Sequence, residues 1–134
     1  MTPRYLLDTN IISDLARHLR GRVAAKIAEL DEEAVATSII VAAELRYGVA
    51  KKGSVRLATQ IEAILGALEV VSFEPPADVA YGLARAELQR LGTPIGANDL
   101  LIAAHAISLN LVLVTNNERE FARVPRLQTE NWLR

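Results

Sequence analysis

Three acids stand where the surrounding pattern does not call for charge. Asp8 closes the short apolar run YLL. Glu44 interrupts a helical stripe of Ile40, Val41, Leu45 and Gly48. Asp99 opens the apolar run LLIAA behind Gly96-Ala97-Asn98. Each has a plain alternative reading. Asp favours turns at strand ends. A buried Glu can pair with an Arg, because an unpaired buried charge is costly. An Asp behind Gly96-Ala97-Asn98 can cap a helix. Together they describe something else. Three carboxylates within about 5 Å repel by about 3 kcal/mol per pair at an effective dielectric near 20. Such a cluster needs a cation. Hard oxygen donors select Mg²⁺ or Mn²⁺ over Zn²⁺. An acidic oxygen cage suits phosphoryl chemistry, where a divalent ion activates water and neutralises phosphate charge.

A second polar group follows the clearest strand. The run LVLVT ends in Asn116, Asn117, Glu118 and Glu120. A turn alone would explain these residues. Competing chemistries find less support. There is no Cys, which excludes thiolate metal sites, disulfide scaffolds and cysteine nucleophiles. His105 lies six residues after Asp99, about 240° around a helix, and so cannot share its face. His18 sits among Arg residues and reads as a surface group. No GxxxxGK[ST], GxSxG or GxGxxG motif occurs.

The acids need a frame that brings them together. Residues 5–7 read as a buried strand and 8–10 as a polar loop. A helix over 11–19 ends at Gly21, and a second covers 23–30. A strand over 34–39 leads to Ser38, which can cap a helix to about Ala50. Ser54 can cap the next helix, to Leu68, and a strand covers 69–73. Pro75-Pro76 opens a helix that Gly92 closes. Another helix starts at Asn98 or Asp99 and runs to Leu109. A strand over 111–115, a short helical segment to Phe121 and an edge strand in the tail complete the chain. Unbroken apolar strands alternating with helices define an α/β fold with a parallel sheet covered on both faces. Ligands in such folds bind outside the carboxyl ends of the strands. In a parallel sheet Asp8 and Thr115–Asn117 share that edge.

The length of 134 residues predicts a single domain over 1–134. No apolar run approaches a membrane span or a signal-peptide core, so a cytoplasmic location is the expectation. Aromatic residues make up 4%, which disfavours a base-stacking platform such as an RRM sheet. The net charge of −1 at first disfavours a nucleic-acid binder. With Asp8, Glu44, Asp99 and Glu120 set aside, the remainder carries +3. The basic residues are twelve Arg and three Lys. Arg suits phosphate recognition.

Four stretches, in order, carry a resemblance: LLDTN (6–10), AELRYG (43–48), GTPIGANDLLIAAHA (92–106) and LVLVTNNEREFARVP (111–125). With these the chain resembles the PIN-domain ribonucleases of the VapC toxin type, most closely the enteric branch. The resemblance implies a three-layer α/β/α sandwich with four to five parallel strands. It implies a Mg²⁺- or Mn²⁺-dependent endoribonuclease whose metal-binding acids are Asp8, Glu44 and Asp99. Relatives often add a fourth acid, and the matching positions here are Asn117 and Glu120. Thr9, Asn10 and Thr115 match small polar positions around the site. A tRNA substrate is implied, with the initiator tRNA anticodon loop as one candidate. The implied partners are a VapB-type antitoxin and a second toxin copy, for which the helices at 11–30 and 54–68 offer apolar faces.

Among the basic residues, Arg17, Arg20 and Arg22 follow the Asp8 segment, and Arg119 and Arg123 follow Asn117. Some of them are expected to hold the RNA backbone. Two other function classes share these features: a metal-dependent phosphatase or DNA nuclease on a similar frame, and a catalytically silent PIN domain acting as a binding module.

Overall fold

The computed structural model describes residues 3–134, so the first two residues of the expected domain lie outside the described residues. The five strands are β1 (Tyr5–Leu7), β2 (Val35–Ser38), β3 (Glu69–Val71), β4 (Val112–Val114) and β5 (Thr129–Glu130). They pair in the order β3-β2-β1-β4-β5, and every pair is parallel. The tail does add an edge strand.

Helices α1 (Thr9–Arg17), α2 (Arg22–Glu29), α3 (Ile39–Lys52) and α4 (Val55–Ala67) fill the first two crossovers. Helices α5 (Ala77–Leu91) and α6 (Ala97–Leu109) fill the third, and the short α7 (Glu118–Phe121) the last. The chain steps one way from β1 to β3 and then returns past β1 to β4. Right-handed crossovers therefore put α1–α4 on one face and α5–α7 on the other. Accordingly α1 packs on α2, α3 and α4, while α5 pairs with α6. The core between the layers is aliphatic. Leu6, Leu7, Ile11, Ile12, Val41, Ile102, Leu113 and Val114 are all fully buried.

Several element starts follow their sequence signals. The Ser38 hydroxyl accepts from the Ile40 N–H at 3.0 Å, and that of Ser54 from the Leu57 N–H at 3.2 Å. Gly92 closes α5 at φ 71°, a conformation open to glycine at little cost.

Most boundaries shift by a residue or two from the sequence reading, and two of the differences bear on the site. Residues 8–10 are not a loop. Asp8 is the N-cap of α1, its carboxylate accepting from the Thr9 N–H at 2.8 Å, so the helix begins at Thr9 and ends at Arg17. Helix α6 begins at Ala97 with Gly96 as its N-cap, and no side chain caps it. Asn98 and Asp99 therefore lie inside the first turn. At α1 a strand end passes straight into a helix, and polar residues that read as loop form its cap and first turn. At α6 the segment after α5 turns helical one or two residues earlier than expected.

Candidate metal centre

Strand order reverses between β1 and β4, because β1 connects toward β2 on one side and receives β4 on the other. The carboxyl ends of strands at such a switch point frame a crevice. A cavity of about 450 Å³ opens there, and Asp8, Glu44, Asp99 and Asn117 all line it. The three acids come from the end of β1, from α3 and from the first turn of α6.

Each carboxylate is held by neutral donors. Asp8 is 3% exposed. It accepts from the Thr115 hydroxyl at 2.7 Å and the Asn10 amide at 3.5 Å. Thr115 in turn accepts from the Asn117 N–H at 2.9 Å. Glu44 accepts from the Thr9 hydroxyl at 2.5 Å and the Asn98 amide at 3.1 Å. It is half-buried, and these neutral donors stand where a salt bridge was the alternative. Glu120 accepts from the Gly96 N–H at 2.9 Å and the Asn117 amide at 2.7 Å. The same Asn117 amide lies 3.5 Å from Asp99. Both candidates for the fourth position therefore reach the site: Glu120 as a carboxylate, Asn117 as the amide between two acids.

The electrostatics report crowding. Burial pushes the Asp8 carboxyl up, and Glu44 and Glu120 add to the rise against the Thr115 and Thr9 hydrogen bonds. Asp99 is pushed up to about 7, first by burial and then by the hydrogen bond and the charge of Glu120. Glu120 moves down, chiefly through its hydrogen bonds with Asp99 and the Gly96 N–H. The two carboxyls titrate as a pair, Asp99 held up and Glu120 held down.

Any divalent ion here would meet hard oxygens alone, a donor set that fits Mg²⁺ or Mn²⁺. A cation would also relieve the repulsion that raises Asp8 and Asp99. The fit is one of chemistry rather than finished geometry. Among the described residues, no group of three His, Cys, Asp or Glu side chains is already gathered to hold an ion. Neutral donors hold Asp8 and Glu44, while Asp99 and Glu120 lie within hydrogen-bond reach of each other.

The arginines divide. Arg17 lines the cavity. Arg20 and Arg119 are exposed and lie outside its lining. Arg22 donates to the Leu133 carbonyl at 3.2 Å, and Arg123 to the Pro94 carbonyl at 3.1 Å. Sequence reasoning passed over Ser13, took Asn98 only as a helix start and read Asn116 as part of a turn. Asn116 gives its N–H to Asn10, and Ser13 lines the cavity. The run Asn10, Ser13, Asp14, Arg17 has helical spacing, so the polar stripe was there to be found once α1 began at Thr9.

A parallel sheet in this order, with acids lining one cavity at its switch point, defines a PIN-type nuclease frame. The PIN-domain profile matches residues 5–127, and the chain belongs to the PIN-domain family. Within it the relatives are VapC ribonucleases. Ribonuclease VapC2 of Rickettsia felis is 42% identical over 130 residues, covering 96% of this chain and 97% of that protein. The tRNA(fMet)-specific endonuclease VapC of Salmonella typhimurium is 38% identical over 134 residues, covering 96% and 98%. Among solved structures, VapBC2 of Rickettsia felis bound to a DNA fragment from its promoter matches with a TM-score of 0.87. That match has 40% identity and covers 96% of this chain and 98% of the other. Among the described residues, no helix is long and apolar enough to cross a membrane.

Proposed function

We propose that this chain is the endoribonuclease toxin of a toxin–antitoxin pair, hydrolysing RNA phosphodiesters with Mg²⁺ or Mn²⁺. One observation carries the reading: Asp8, Asp99 and Glu44 line one cavity at the switch point, with Asp8 and Asp99 both raised, first by burial and then by neighbouring carboxylates. Membership among the VapC ribonucleases supports the reaction class. Asp8, Glu44, Asp99 and Glu120 would hold the ion, which supplies an activated water and charge neutralisation at the phosphate.

The other residues position these acids. Thr115 and Asn10 fix the Asp8 carboxylate. Thr9 and Asn98 fix Glu44. Asn117 and the Gly96 N–H hold Glu120. Arg17 at the rim binds the RNA backbone. The finer substrate is tRNA, with initiator tRNA the first to test, since two relatives are named for it. The partners are a VapB-type antitoxin and a second copy of the chain. The solved relative in complex with its antitoxin supports the first.

The test compares the native chain with Asp8→Asn and Glu44→Gln on tRNA, single-stranded DNA and a phosphomonoester in Mg²⁺. Cleavage of RNA alone, abolished in both variants that still fold, is the expected result. Full RNA cleavage by either variant sinks the metal-site assignment. Activity on DNA or the monoester alone replaces the substrate class, and a native chain that cleaves nothing fits the binding module.

A further inference from the structure

A second cavity lies across the first turn of α6 from the acids. It measures about 230 Å³ and lies between α5 and the 93–97 segment. Tyr81, Arg85 and Gln89 line it from α5, at intervals of four residues that keep them on one side of the helix. Leu88 and Leu100, both buried, line its inner side. The Tyr81 ring is half-buried against the core, and the Arg85 guanidinium donates to its hydroxyl at 3.1 Å. One Arg85 nitrogen is thereby fixed, and the guanidinium retains further donors to offer.

The cavity is smaller than the about 300–1,000 Å³ typical of drug-sized ligands, which leaves room for a fragment such as one planar ring system. Its lining combines an aromatic ring, a guanidinium, a carboxamide and aliphatic carbon. This is the set that holds an unstacked base, by stacking and by hydrogen bonds to its edge.

Its place ties it to the metal centre. Ala97 lines this cavity, and Asp99, two residues on in the same turn, lines the other. Arg123 spans the gap from outside. It donates to the Pro94 carbonyl of the cavity wall, and its charge acts on Glu120. A single strand passing from the acids toward Pro94 meets a cation on its way.

We propose that Tyr81, Arg85 and Gln89 form a nucleobase subsite that receives one unpaired base of the RNA beside the cleaved linkage. The base stacks against Tyr81 and turns an acceptor-bearing edge to Arg85. The subsite rests on the ribonuclease reading above and adds substrate selection to it.

The experiment uses a short oligoribonucleotide that the chain cleaves at one linkage, with an abasic residue placed at each position in turn. One abasic position next to that linkage should raise KM about tenfold with kcat held, the scale of one lost base stack. Arg85→Ala and Tyr81→Ala should show the same loss on the intact oligonucleotide and no further loss at the abasic position. Tyr81→Phe keeps the ring and most of the affinity. If Tyr81→Ala fails to fold, the exposed Arg85→Ala decides. An unchanged KM in Arg85→Ala overturns the subsite, as does a loss spread evenly over all abasic positions. An altered oligomeric state or antitoxin affinity in Arg85→Ala with KM unmoved assigns the cavity to a protein contact. A native chain that cleaves no RNA removes the ribonuclease reading and this one with it. Cleavage that ignores both residues removes the subsite alone.

Discussion

Thr115 and Asp8 are 107 residues apart in sequence, and the Thr115 hydroxyl donates to the Asp8 carboxylate at 2.7 Å. The contact exists because β1 and β4 are neighbours in parallel register, so both chains leave the sheet at one level. The same hydroxyl accepts from the Asn117 N–H, so one buried atom fixes an acid and the following turn. Thr115→Val should cost about 1–3 kcal/mol, because it strips the partner from a largely buried N–H and a carboxylate. Asp8 loses a bond that favours its charged form, so the acid limb of the pH–rate profile should move upward. Thr115→Ser should restore both. Chemical denaturation and a pH–rate series check the pair; an unmoved acid limb in Thr115→Val refutes the link.

Asp99→Asn should separate stability from activity. The folded-state pKa of Asp99 is raised to about 7 from an ordinary value of 3.8. Between those values the folded chain binds a proton that the unfolded chain does not, so this group's contribution falls as pH rises toward 7. The variant should therefore gain stability over the metal-free native chain. The gain should be absent near pH 4 and largest above pH 7, on the order of 1 kcal/mol after solvent screening. Cleavage should be lost. Melting curves from pH 4 to 8 read the sign, and a gain that shrinks with pH contradicts it.

Asn117→Asp replaces the amide that bridges Asp99 and Glu120 with a third negative charge. The metal-free variant should lose about 1 kcal/mol or more by repulsion across two short contacts. Millimolar Mg²⁺ should then raise its melting temperature by more than it raises that of the native chain. Equal shifts in the two proteins would mean that residue 117 does not face the ion.

His105 is neutral for reasons independent of the site. It is buried, its Nδ1 lies 2.8 Å from the Ser38 hydroxyl and its Nε2 3.1 Å from the Ser72 carbonyl. Because the Ser38 oxygen already accepts from the Ile40 N–H, its hydroxyl proton is free to go to Nδ1, and Nε2–H then donates to Ser72. Burial lowers the His105 pKa. Its stabilising contribution is thus complete above the ordinary value of 6.5 and lost as pH falls below it. His105→Gln should cost most at pH 7.5 and progressively less toward pH 5.5 in thermal melts. A cost that stays constant or grows toward acid would show that a charged imidazole is held instead.

The frame was legible because its signals are local. The strands are short aliphatic runs, Ser38 and Ser54 mark helix starts, and Gly92 marks an end. The three acids stood out because charge interrupted apolar patterns. Three things were hidden for physical reasons. Asp8-Thr9-Asn10 has loop composition, yet its carboxylate caps a helix, and turn and cap chemistry use the same residues. Asn98 and Gly96 serve acids from other elements, a long-range role with no sequence period. The arginines could not be sorted, because a flexible surface side chain leaves no pattern to say whether it faces a cavity, as Arg17 does, or solvent, as Arg119 does.

The acids of the centre come from positions 8, 44, 99 and 120 of 134, and β5, at 129–130, seals the strand that carries Thr115. No amino-terminal fragment that ends before position 120 contains the whole set. A domain made from one end to the other folds as a unit once its last partners emerge. The ribosome must therefore pass position 120 before this chain can hold the complete set of acids. Chains stalled before position 120 should be inert toward RNA.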